Sequence, residues 1–161
     1  MKDEKGTTSQ CLDETFWFDM SKSNASNNRN VNIRKLRLIV DRIGGVSISS
    51  RNGYWNLSLG DGVVCDYRDI MQILNEFKKR KSSLTREKLE LLVSRATGGD
   101  LLPNISSEWL DEYKSEYGVG VTETLLSIID HPAFRTDMRL LLKIADVVLA
   151  IDSIEIGRAH V

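Results

Sequence analysis

Proline, cysteine and histidine are scarce in this 161-residue sequence, with two of each. Cys11 and Cys65 lie far apart with no second pair, which excludes a disulfide framework and lacks the spacing of a zinc finger. A reduced, cytoplasmic chain with two ordinary thiols is the expectation. His131 precedes Pro132 in what reads as an inter-helix turn and His160 sits near the end. Neither has a partner at ligand spacing, so no metal site is expected. No apolar run approaches the ~20 residues of a membrane-spanning helix. The opening MKDEKGTTSQ mixes acids and bases, unlike a signal or transit peptide. Net charge is nearly absent as well: 22 Lys and Arg against 23 Asp and Glu leave −1. Taken alone, that total argues against a nucleic-acid partner. A partner meets a distribution, however, and not a sum.

What is present begins with size and charge placement. At 41% hydrophobic residues and 18.2 kDa, the chain can bury a real core. Residues 1–65 carry +2 and residues 66–161 carry −3. Within 20–60, seven Lys and Arg residues face only Asp41, for +6. A local basic segment in a neutral chain is the footprint of phosphate binding, or else a solvated basic helix.

SQCLDETFWFDM (9–20) reads as a short helix capped by Ser9, with Leu12, Phe16 and Trp17 on one side. SKSNASNNRN (21–30) is rich in Ser and Asn, residues that compete with helix, and reads as a polar turn. A stronger helix is predicted from about Asn28 to Ile43, with Ile33, Leu36, Ile39, Val40 and Ile43 as its buried stripe. Gly44-Gly45 ends it. The period then becomes twofold: VSIS and YWNLSL flank SRNG, whose Asn52-Gly53 is the favoured two-residue hairpin turn. After Cys65 the pattern is helical throughout, with helices predicted at 66–80, 85–96, Ser106 to Tyr117, 120–129 and 134–152. The fold class is therefore mainly α, and the second half reads as an array of helical hairpins.

The sequence resembles a bacterial family at this point. ETFWFDMSKSNASNNRNVNIRKLR followed by GGVSISSRNGYWNL is similar to the OmpR/PhoB-type winged-helix DNA-binding domain, with Ile33-Arg34-Lys35-Leu36-Arg37 and Gly53-Tyr54 as the matching core elements. CDYRDIMQIL through GDLLPNISSEWLDEYKSEY resembles the tetratricopeptide-like transcriptional activator domain that follows it in antibiotic-regulatory-type activators. The resemblance implies a partial winged helix-turn-helix over 1–64 and a tetratricopeptide-like array over 65–155. It also implies an activator that binds double-stranded DNA, with a recognition helix in the major groove and the hairpin on the backbone or minor groove. On that basis Asn30, Val31, Arg34 and Lys35 face bases: Asn suits adenine, Arg and Lys suit guanine, and Val meets a thymine methyl. Lys22, Arg29, Arg37 and Arg42 clamp phosphates, and Arg51 is the wing contact. The helical half contacts RNA polymerase or a homodimer partner, and dimerisation would imply paired half-sites.

The family places a sheet and a first helix before the equivalent of Leu12, and Met1–Lys5 is too short to supply them. The chain is therefore expected to start inside its domain, leaving the apolar backs of its helices partly uncovered. IGRAHV (156–161) matches a translated sequencing-adapter read and is set aside from fold reasoning.

No catalytic, metal-ligating or cofactor-binding residue is assigned, and no small-molecule cofactor is expected. Cys65 reads as a packed thiol and the glycines of LGDG and TGGD as turns. Trp17, Trp55 and Trp109 read as packing anchors, and KKRK (78–81) as a solvated helix end. The alternative function is a helical protein-interaction scaffold without DNA binding. An enzyme is the third and weakest reading.

Overall fold

Local turn chemistry sets the first half. In the computed structural model, which describes residues 6–80, 84–129 and 131–158 (the backbone alone over 152–158), Asn52 and Gly53 take φ of 52° and 80°. Positive φ at both positions is the primed turn that matches strand twist. It joins β2 (Val46–Arg51) to β3 (Tyr54–Leu59), antiparallel with Val46 opposite Leu59 and Arg51 opposite Tyr54. A two-residue strand, β1 (Thr7–Thr8), pairs with the other edge of β3, giving a three-stranded sheet of order β1-β3-β2. Nothing in the sequence pattern announced β1.

Two helices precede the hairpin. α1 (Ser9–Phe16) is capped by Thr8, whose Oγ1 accepts from the Cys11 amide at 3.1 Å. Ser9, predicted as the cap, is the first helical residue instead. The helix stops four residues short of Met20, because the chain reverses over Trp17–Met20 into a second capped start. Ser21 Oγ accepts from the Asn24 amide at 3.4 Å, and α2 runs from Lys22 to Ile43. The polar turn predicted over 21–30 is therefore helical. Burial is the reason: Ala25, Arg29 and Ile33 recur every fourth residue and are the buried positions of α2, and this packing outweighs weak Ser/Asn propensity.

The expected buried stripe of α2 is largely uncovered. Leu36, Ile39 and Ile43 are 48%, 56% and 65% exposed. α1 has only eight residues and covers just the first part of the longer helix.

Among the described residues, four helices make up the second half: α3 (Asp66–Lys79), α4 (Arg86–Ala96), α5 (Glu108–Ile129) and α6 (Met138–Arg158). Chain contacts divide the molecule into two compact units, Met1–Val64 and Cys65–Val161. The division falls where the sequence period turns helical. The continuous apolar core lies in the second unit, around Ile70, Leu74, Leu89, Leu92, Val121, Leu125 and Ile144.

α5 is one helix where two were predicted, and it begins after Ser107, not Ser106. α5 runs unbroken through Gly118 and Gly120, which lie where α5 meets other helices. A Cβ on Gly120 would meet Leu74 Cδ1 at 2.9 Å, and one on Gly118 would meet Ile151 Cγ2 at 3.5 Å. At Gly120 the missing side chain lets α3 approach, whereas the distance at Gly118 is ordinary contact. Trp109 is 42% exposed, edge-on to Tyr113, so the anchoring role falls to Leu110 and Tyr117. Burial pushes the Tyr117 hydroxyl up to about 12, and it donates to the Gly99 carbonyl at 3.1 Å.

Ion pairs link the helices of this unit: Arg95 reaches Asp66 (3.3 Å) and Asp69 (3.2 Å), and Lys88 meets Glu76. Hydrogen bonds from Lys88 and Gln72 hold the Glu76 carboxyl below the usual range. These side chains are too exposed for large individual contributions. Lys78 and Lys79 close α3 as exposed residues, whereas Lys81, Asp130 and residues 159–161, His160 included, lie outside the described residues. The backbone of 156–158, set aside above, continues α6. No helix among the described residues is long and apolar enough to cross a membrane.

Candidate nucleic-acid interface

α2 has two unlike sides. Asn30, Val31, Arg34, Lys35 and Arg42 fall within an arc roughly 140° wide at about 100° per residue, and all five are exposed. The opposite side carries Ala25, Arg29 and Ile33. The four predicted base-facing residues are thus on one accessible surface. Val31 is 51% exposed, an apolar spot beside two cations.

The predicted phosphate clamps separate into different roles. Arg29 is a correction, because its side chain is only 11% exposed and paired with Asp13. The Nη1 that meets Asp13 also donates to the Ser9 carbonyl at 3.4 Å, and Nη2 donates to Ser26 Oγ at 2.9 Å. It ties α1 to α2 and is not presented to a ligand. Arg37 is exposed but engaged: Nε donates to the Ile48 carbonyl at 3.0 Å, and the guanidinium lies over Trp55, 5.6 Å from the ring centroid. That arrangement braces α2 against the hairpin.

Arg42 stands in the last turn of α2, where a cation suits the helix dipole. Arg51 ends β2 beside the hairpin turn, at the position expected of a wing residue. Lys22 is exposed at the first residue of α2, about 120° around the axis from Arg34. The structure therefore does not bring Lys22 onto the arc of Arg34. Lys22, Arg34, Lys35, Arg42 and Arg51 form no ion pair among the described residues. Asp41, two turns beyond Arg34, offsets part of this charge.

One residue of the surface escaped sequence reasoning. Leu38 is 59% exposed and lies four residues from both Arg34 and Arg42. The spacing i, i+4, i+8 was the available signal, hidden because leucine reads as core.

Beside the interface, α1 and the start of α2 enclose an open groove of about 600 Å³, lined by Asp13, Trp17, Met20 and Arg29 among others. Among the described residues, no three His, Cys, Asp or Glu side chains converge as a metal site. No protein-family model matches the chain, and no curated protein or solved structure matches it either.

Proposed function

We propose that the chain is a sequence-specific DNA-binding transcriptional activator, with Met1–Val64 acting as a partial winged helix and Cys65–Val161 as a tetratricopeptide-like protein-interaction unit. One observation carries the reading: α2 presents Asn30, Val31, Arg34 and Lys35 together, exposed and without ion pairs, beside a hairpin that carries Arg51. The width of a helix fits the major groove, and this residue set can address base edges there. The hairpin then lies on the flanking backbone or minor groove. RNA polymerase or a second copy of the chain is the partner of the helical unit.

Binding should be selected from a pool of random duplexes and then followed against salt. Lys22, Arg42 and Arg51, the unpaired cations assigned to phosphates, predict a slope of log K against log salt of about −3. Arg42→Ala or Arg51→Ala should lower that slope by about 1 each. Replacing Arg34 and Lys35 together by Ala should instead cost roughly 1–3 kcal/mol of discrimination per lost bidentate contact. An unchanged sequence preference would reject their base-facing role. The scaffold reading draws support from the uncovered Leu36, Ile39 and Ile43, and it predicts no salt-dependent DNA affinity at all.

A further inference from the structure

α6 is apolar on two sides. Ile144, Val147 and Ile151 are buried in the core. On the other side, Met138, Leu142 and Leu149 are 68%, 65% and 65% exposed, with exposed Ala145 between them. These four recur at intervals of four, three and four, the spacing of a coiled-coil seam.

We propose that the outer stripe of α6 pairs antiparallel with α6 of a second copy of this chain. The flanking charges favour that occupant. With Leu142 opposite Ala145 of the second copy and Met138 opposite Leu149, Arg139 falls in the same layer gap as Asp146 of the second copy. Twofold symmetry repeats the pair. On the other flank the same register sets Leu141 against Val148 of the second copy, apolar against apolar. Arg139 and Asp146 are exposed and form no ion pair among the described residues, so both are free for such a contact. Parallel pairing would instead set these flanking charges against Leu141 and Val148 of the other copy. The uncovered stripe of α2 offers no comparable match, because Arg34, Lys35, Arg37 and Arg42 surround it with only Asp41 in reply.

The pairing length, about 17 Å of helix, is below that of a standard stable interface. The dimer is therefore reversible and concentration-dependent. It names the partner of the helical unit and needs no base or phosphate contact, so it is tested without DNA.

Sedimentation of the full chain, reduced and free of DNA, should move from the 18.2 kDa of one copy toward twice that mass as concentration rises. Leu142→Asp should remove the shift while circular dichroism stays unchanged. Arg139→Glu and Asp146→Lys should each remain monomeric alone, yet associate when mixed, because the mixed pair restores both ion pairs. Three results would overturn the proposal: one mass at every concentration, a dimer that survives Leu142→Asp, or charge variants that associate no better mixed than alone.

Discussion

Replacing Arg29 by Met should lower the stability of the Met1–Val64 unit by about 3 kcal/mol, although the site lies in the most basic segment of the chain. The partner left behind explains the size. Asp13 Oδ1 is buried without a hydrogen-bond partner even in the intact protein, and removing Arg29 strands the whole carboxylate. The Ser9 carbonyl and Ser26 hydroxyl lose their bonds too. Urea unfolding, read through Trp17 and Trp55 in a Trp109→Phe background, measures the change. Adding Asp13→Asn should recover at least about 1 kcal/mol through coupling of the pair. The salt slope of any DNA binding should stay the same. A loss under about 0.5 kcal/mol, the surface range, would return Arg29 to the solvated clamps.

The second large effect belongs to the helical unit. Leu125→Ala should cost about 3 kcal/mol, because Leu125 is fully buried within the core. Its neighbour Leu126 is 48% exposed, and Leu126→Ala should stay within about 0.5 kcal/mol. Thermal unfolding of the two variants side by side reads the phase of α5 directly. Equal losses would mean that the helix is rotated from this arrangement or broken at its glycines.

What the sequence disclosed depended on whether chemistry was local. The hairpin was legible because Asn52-Gly53 needs no distant partner to favour its turn. α3 and α4 were legible to within a residue, since their apolar periods point one way. The start of α2 was hidden for the opposite reason. Its buried side consists of an alanine and an arginine before the first isoleucine, and a buried arginine looks like a surface residue until Asp13 is seen beside it. The predicted break between Tyr117 and residue 120 does not occur, although Gly118 and Gly120 weaken a helix in isolation. Only the nearness of Leu74 shows why an absent side chain is favourable at Gly120. The same limit applied to the candidate interface. Asn30, Val31, Arg34 and Lys35 share one exposed arc of α2, but sequence alone could not separate Arg29 and Arg37, which have structural partners, from Arg42 and Arg51, which form no ion pair among the described residues.

β1 has only two residues, yet it joins the most distant parts of its unit. Thr7 pairs with Trp55, and Trp55 Nε1 also donates to Ser9 Oγ at 2.9 Å. Closing so long a loop carries an entropy cost that α2 and the hairpin, built on near neighbours, largely escape. In folding order the clasp therefore comes last, and under native conditions it is the first edge to open. Hydrogen exchange should release the β1 amides well before those shared by β2 and β3. Protection in β1 equal to that of the hairpin would mean that the loop closes early and holds the two helices in place from the start.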